Sequence, residues 1–285
     1  MIQSMTGYGK HVVQLPSKKI TVEIRSLNSK NLDINARVPS AYREKELDIR
    51  TKIAKALIRG KVDFNLFVEM TGKTTTAQLN KGAVHQYIGQ LKEIVNGDET
   101  ELLKMAVRMP DALITQREEI DETEIDEIFN ALNQALLQVN TYRSDEGAVL
   151  KTDFLNRVQT IQTLLGNVLQ IDAQRIDRVR ERLRRAVSEL NTKVDENRFE
   201  QELIYYLEKY DITEEKVRLQ NHLEYFCQAV NSTGSNGKKL GFIVQEMGRE
   251  INTIGSKSNF APMQQLVVQM KDELEKIKEQ ALNVL

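Results

Sequence analysis

The stretch 62-VDFNLFVEM-70 sets Val62, Phe64, Leu66, Val68 and Met70 on every second position, with Asp63, Asn65 and Glu69 among the residues between them. Side chains of a strand alternate between two faces, so this period of two predicts a strand buried on one side. Working outward, 20-ITVEIRS-26 repeats the pattern through Ile20, Val22 and Ile24, and 32-LDINARV-38 through Leu32, Ile34 and Val38. A fourth strand is expected in 4-SMTGYGKHVVQL-15, entered through Gly7 and Gly9. Half-buried strands of this kind predict an antiparallel sheet. Between the strands, Ser40 is placed to cap a helix running to Arg59, with Gly60 closing it.

Beyond residue 80 the period changes. Asn80 precedes Val84, Tyr87, Leu91 and Ile94 at helical spacing, and from there to the end the chain reads as helix. The four prolines are Pro16, Pro39, Pro110 and Pro262, so 111–261 is free to form long helices. The segment 146–196 predicts a coiled hairpin or an extended arm. A boundary is expected near 191-NTKVDENRF-199, and a loop at 231-NSTGSNGKK-239. The expected fold class is α+β: an N-terminal antiparallel-sheet domain with helices over 1–150, a long helical connector over 151–198, and a compact all-helical C-terminal domain over 199–285.

Composition narrows the function. The 285 residues carry a net charge of −1, which is not the basic balance of many nucleic-acid-binding domains. That total hides an asymmetry. Residues 1–75 hold 14 Lys and Arg against 7 Asp and Glu, whereas 98–127 hold 3 against 11. A basic surface and an acidic one can therefore coexist. Tryptophan is absent and aromatics are 6% of the chain, so no base-stacking sheet is advertised. The single cysteine, Cys227, cannot form an internal disulfide and reads as a packed thiol. No signal-like or membrane-length apolar run occurs, and the expected location is the cytoplasm.

Three constellations could carry chemistry. In 245-QEMGREINTIGSKSN-259 and the residues before it, a helix would bury Leu240, Ile243, Met247, Ile251 and Ile254 on one face. Lys239, Glu246, Glu250, Thr253 and Lys257 fall in an adjoining stripe; Gln245, Arg249, Asn252 and Ser256 form a second. Glu246 and Glu250 are one helical turn apart, and like charges at that spacing repel unless a cation lies between them. The cation could be Lys, Arg or a divalent metal, so spacing leaves a surface network and a ligand site both open. Gly255 is expected to break or bend this helix. The second constellation, 211-DITEEKVRLQNH-222, lines up Asp211, Glu215, Arg218 and His222. Histidine is the side chain most readily tuned for proton transfer near neutrality, although on the pattern alone a solvated or structural His is the commoner case. The third, 175-RIDRVRERLRR-185, puts Arg175, Arg178, Arg182 and Arg185 within an arc of about 80°. Such a row suits a phosphate backbone, or pairs with neighbouring carboxylates.

The segments 4-SMTGYGK-10, 22-VEIRSLNSKNLDINARVP-39, 59-RGKVDF-64, 211-DITEEKVRLQNHLEYF-226, 237-GKKLGFIVQEMGREINTIGSKSN-259 and 266-LVVQMKDELEKIKEQALNV-284 resemble the YicC/YloC family of bacterial endoribonucleases, in order and over effectively the whole chain. Gly241 and Gly248 stand where that family usually has Asp and Asn, and Ser29-Lys30 replaces a more typical His-Arg. The resemblance implies endonucleolytic cleavage of RNA supported by Mg²⁺ or Mn²⁺, within a ring-like homo-oligomer, a hexamer. The implied partners are RNA, further copies of the chain and other RNA-degradation proteins. The residues it brings forward are Glu215, Arg218, His222, Glu246, Arg249, Glu250, Asn252, Thr253, Ser256 and Lys257. Expected roles are catalysis for His222, Glu246, Glu250 and Arg249, and metal binding for Glu215, Glu246 and Glu250. RNA contact is expected from Arg175, Arg178, Arg182, Arg185, Arg218, Lys238, Lys239, Asn252, Thr253, Ser256 and Lys257. A non-catalytic RNA clamp or adaptor for another ribonuclease is the rival reading.

Overall fold

The computed structural model describes residues 2–71, 77–115, 121–189, 196–232 and 236–285. Strands β1 (Gly7–Gln14), β2 (Lys18–Leu27), β3 (Leu32–Arg37) and β4 (Gly60–Met70) form one sheet in the order β1-β2-β4-β3. The alternation predicted from sequence is present: Ile20, Val22, Ile24, Val62, Phe64 and Leu66 are all buried. The sheet is mixed, however, and not antiparallel throughout. β1 pairs with β2 and β2 with β4 in antiparallel register, but β3 runs parallel to β4, with Ile34 opposite Val62. Parallel neighbours need a crossover, supplied here by a 3₁₀ turn at Ser40–Lys45 followed by α1 (Glu46–Ala56). Ser40 does not cap: it lies inside the 3₁₀ turn, and Pro39 at the cap position offers no side-chain acceptor. Gly60 opens β4 rather than closing the helix. Its φ of +126° is one that residues with a Cβ rarely adopt.

Strands β5 (Ala77–Leu79) and β6 (Leu113–Thr115) bracket α2 (Lys81–Ile94) and α3 (Glu99–Ala106). The Asn80 side chain accepts from the Ala83 amide, as a cap should. Next comes α4 (Glu122–Glu189), a single helix of 68 residues, about 100 Å long. It replaces the expected hairpin or arm and begins 24 residues earlier than 146. Its first part packs Ile128, Ala131, Leu132, Ala135 and Val139 onto the sheet, alongside Ile49 and Ile53 of α1. Its middle joins a second core through Phe154, Val158, Ile161, Leu165 and Val168. Position 150/151 lies within this helix, and most of 191–199 lies outside the described residues.

After α5 (Glu196–Lys209), the chain forms α6 (Thr213–Asn231), α7 (Gly237–Lys257) and α8 (Ala261–Ala281). α6 and α8 pack on the middle of α4, and α7 packs on α6 and α8, all within one core. α7 buries Leu240, Ile243, Met247, Ile251 and Ile254, the face read from sequence. Gly255 neither breaks nor bends it. A Cβ there would come within 3.0 Å of Val267 Cγ1, so the glycine lets α8 approach. Chain ends interlock near the α4 midpoint: Ser4 bridges Val284, the Met5 amide donates to Asn283 O, and Leu285 O accepts from the Asn236 and Gly237 amides.

Candidate active site between two antiparallel helices

Helices α6 and α7 form a hairpin, and two contacts tie it at separate points. Lys257 Nζ lies 2.7 Å from Glu215 Oε1, and Lys239 Nζ sits 4.5 Å from the centre of the Tyr225 ring. Lys239 and Lys257 are 18 residues apart, five full turns at 3.6 residues per turn, so both project from the same line along α7. Glu246 and Glu250 fall about 20° to either side of that line. On α6, His222 lies about 20° from Glu215, inside the arc that ends at Tyr225. The stripe of α7 from Lys239 to Lys257 and the Glu215–His222 stripe of α6 therefore face one seam, with Glu246, Glu250 and His222 between the ties, whereas Gln245, Arg249 and Asn252 of the second α7 stripe line the side toward α8.

The carboxylates on this seam differ in their partners. Glu246 pairs with Arg249 at 2.7 Å. Glu215 is buried, takes Lys257 on Oε1, and leaves Oε2 buried without a hydrogen bond. Glu250 is buried at 8% exposure, yet no hydrogen bond or ion pair reaches its carboxylate among the described residues. Its carboxylate oxygens, unlike Oε2 of Glu215, are not sealed from solvent, so a ligand cation can reach them. His222 is half-buried on the seam. Arg218 is exposed and pairs with Glu214. Asn252 is exposed; the Thr253 and Ser256 hydroxyls donate to Arg249 O and Thr253 O, within their own helix.

These placements bear on a metal. Among the described residues, no three His, Cys, Asp or Glu side chains converge to form a ready-made cage. Glu250 and the orphaned oxygen of Glu215 nevertheless suit a hard cation that uses one or two carboxylates and completes its shell with water and substrate oxygens.

The arginine row divides. Arg175 is 2% exposed, paired with Asp172 at 2.7 Å, and its Nη1 lies 3.5 Å from Lys257 O. Lys216 shares Asp172, also at 2.7 Å. Arg175 thus braces α4 against the end of α7 and is not displayed for a ligand. Arg178, Arg182 and Arg185 are exposed and line a pocket of about 370 Å³ with Asn259 and Phe260. Lys238 stands apart from Lys239, in a basic cleft with Lys30, Asn31 and Arg59.

Sequence reasoning missed the groove of about 680 Å³ between α7 and α8, where Lys271 and Lys278 join Gln245, Arg249 and Asn252. It also missed Lys216, Asn259 and Phe260; Asp172 is among the neighbouring carboxylates that the sequence offered to the arginine row. The signal for Asn259 and Phe260 was Pro262, which marks the first turn of α8 and puts Phe260 at its cap. Cys227 is partly buried against the helical core, and burial pushes its thiol up, as suits a packed thiol.

Comparison with known proteins covers both halves of the chain. Residues 2–152 match the family model described as "Endoribonuclease YicC-like, N-terminal region", and residues 168–285 the model "Endoribonuclease YicC-like, C-terminal". The chain is 34% identical over 293 residues to the protein named "Probable endoribonuclease YicC" of Clostridioides difficile strain 630. It is 31% identical over 288 residues to the protein of the same name from Haemophilus influenzae, and each comparison covers both chains in full. With two family models spanning nearly its whole length, the chain belongs to the YicC-like endoribonuclease family.

Proposed function

We propose that this protein is an endoribonuclease that cuts the RNA backbone at the α6–α7 seam. The observation that carries the reading is the pair of carboxylates beside His222 on one seam: Glu250, whose side chain has no hydrogen bond or ion pair among the described residues, and Glu215, whose Oε2 is buried without a hydrogen bond. A protein that keeps such an unsatisfied oxygen pays in stability, and functional sites are where such costs are tolerated. In this reading His222 exchanges the proton of the attacking or leaving oxygen. Arg249, Lys257 and Arg218 offset the negative charge that builds on the phosphorane. Glu246 holds Arg249 in place through its ion pair. A divalent ion, Mg²⁺ or Mn²⁺, would be held by Glu250 and Glu246 with help from Glu215, and would supply positive charge at the scissile phosphate. RNA is held inside a homo-oligomer, a hexamer, so that basic surfaces of neighbouring copies grip flanking phosphates.

The experiment is cleavage of an end-labelled RNA by the wild-type protein, Glu246→Gln and Glu250→Gln, with the ends of the products identified in the presence and absence of chelator. Loss of cutting in the variants is expected; undiminished cutting in both overturns the reading. A 5′-phosphate product identifies water as nucleophile and a cyclic phosphate identifies the RNA's own 2′-hydroxyl. Sedimentation of the full chain measures the copy number. The separation of candidate metal ligands favours a second reading, an RNA clamp serving another ribonuclease. Protein that binds RNA with steep salt dependence and never cuts it supports that alternative.

A further inference from the structure

The pocket at the far end of α4 has a composition that the cleavage site does not use. Arg178 lies with its guanidinium carbon 4.9 Å from the centre of the Phe260 ring. The guanidinium therefore lies over the face of an aromatic ring, whose negative quadrupole attracts the cation and limits its movement. Arg182 and Arg185 stand four and seven residues further along α4, so all three project from one side of the helix. All three are exposed, and none makes an ion pair among the described residues. Arg180 on the same helix does pair, with Asp177, so carboxylates are within reach of α4 and these three arginines leave them unused. Asn259 is exposed at the rim and brings an amide that both donates and accepts. Glu181 also lines the pocket, and its negative charge opposes any anion placed on its side.

Position matters as much as composition. Arg175, one turn before Arg178, reaches Lys257 O, and Lys257 holds Glu215 on the proposed cleavage seam. Arg182 is two turns beyond Arg175, about 10 Å along the helix axis. The pocket thus opens beside the seam, within the reach of one or two nucleotides of an extended strand.

We propose that the pocket lined by Arg178, Arg182, Arg185, Asn259 and Phe260 is a subsite for one nucleotide of single-stranded RNA next to the cut; this rests on the endoribonuclease reading. The base stacks on the free face of the Arg178 guanidinium, sandwiched through it to Phe260. Bases stack on arginine planes as well as on aromatic rings, with little preference among the four. Arg182 and Arg185 take the phosphates on either side, each displacing condensed counterions. Asn259 meets the base edge. A volume of about 370 Å³ is at the small end of ligand pockets, which suits one nucleotide rather than a folded RNA element.

The test uses the full chain carrying Glu250→Gln, so that RNA is not consumed. Affinity is measured for a ten-residue single strand and for a strand of equal length and charge lacking bases. Arg182→Gln with Arg185→Gln is expected to weaken both strands about tenfold. It should also make the dependence of log affinity on log salt shallower by about 1.4, since each single-strand phosphate contact contributes about 0.7. Arg178→Lys keeps the charge and removes the plane. It is expected to weaken the normal strand about tenfold, within the range of one lost base stack, and to leave the abasic strand unchanged. Parental affinity in both variants overturns the subsite while the nuclease reading stands on its own cleavage result. Equal weakening of both strands by Arg178→Lys overturns base stacking there. A parent that binds no RNA, together with a wild type that cuts none, overturns both readings. The three substituted arginines are exposed and Glu250→Gln is common to every protein compared, so a folding defect does not intervene.

Discussion

Glu250 is where stability and function pull apart. Its side chain is 8% exposed at the edge of the core-packing face, its carboxylate oxygens reach solvent on the seam, and no hydrogen bond or ion pair among the described residues holds them. Neutralising it by Glu250→Gln keeps the shape and breaks no pairing. Unfolding stability should hold within about 0.5 kcal/mol, while RNA cleavage falls about a hundredfold. Urea titration and single-turnover cleavage on the same preparation check the pair of outcomes. Glu215→Gln should behave differently in stability, losing about 1–2 kcal/mol because Lys257 is left without its partner. Arg143 is a purely structural counterpart. It is 2% exposed, faces no carboxylate, and sends Nη2 to Met5 O, Ser26 Oγ and Arg59 O at 3.2, 2.5 and 3.2 Å. Burial alone pulls its guanidinium below the ordinary range. Arg143→Met takes this donor from Ser26 Oγ and Arg59 O, while Met5 O keeps the Ser26 hydroxyl at 3.0 Å, and should cost about 2–3 kcal/mol, read as a lower urea midpoint at unchanged slope. At this scale the sequence showed which residues share a helical face, because 100° per residue is a local rule. It did not show that Arg175 is buried while Arg178 is exposed, because that depends on where the end of α7 meets α4.

Elements were legible where one periodicity acts alone. The strands and the buried face of α7 follow from apolar spacing. Strand direction did not, since a parallel and an antiparallel strand alternate in the same way, and only the crossover through α1 turns β3 parallel to β4. The first part of α4 was hidden for a different reason. Its sheet-facing positions include Ala131 and Ala135, small residues that allow close approach: a Cβ on Gly9 would stand 2.1 Å from Ala135 O. Contacts between elements carry a testable charge dependence. Glu273 of α8 bonds Arg157 of α4 at 2.9 Å and Lys276 at 2.6 Å; Lys276, then Arg157, hold its carboxyl below the usual glutamate range. A depressed folded value means that the stabilisation is present above about pH 4.3, the unfolded value, and is lost as pH falls through the folded one. Glu273→Gln should therefore cost about 0.5–1 kcal/mol at pH 7, discounted for partial exposure, and nothing once the wild-type carboxyl is protonated. Thermal melts of both proteins from pH 7 to pH 3 should converge at the acid end.

Across the whole molecule, α4 belongs to two cores at once. Ile128 to Val139 serve the sheet, and Phe154 to Val168 serve the helical bundle. Between them lies a stretch where the backbone is crowded: a Cβ on Gly147 would stand 2.2 Å from Ile2 O, and the Arg143 carbonyl accepts the Ser4 amide. The sequence could not foretell this arrangement, because a proline-free run says that a helix can be long and says nothing about which cores it crosses. Among the described residues, the sheet half is held to the bundle half by the continuous helix and by the chain ends, which interlock at Ser4 and Val284 and are joined by Asn28, whose amide donates to Leu282 O at 2.8 Å. Cutting only the first shows which dominates. Val149 is 70% exposed, so its side chain contributes little to either core. Val149→Pro removes one helical hydrogen bond and collides with the carbonyl four residues earlier, a local cost of about 3 kcal/mol. If the helix carries the coupling, the single unfolding transition of the wild type should split into two, one for each core, in urea followed by circular dichroism. One transition moved to lower urea would assign the coupling to the interlocked ends instead. The same variant bears on catalysis: the seam between α6 and α7 lies wholly in the bundle, whereas the basic first third lies in the sheet half. Cleavage of a short RNA should then survive, and affinity for a long RNA that spans both halves should fall.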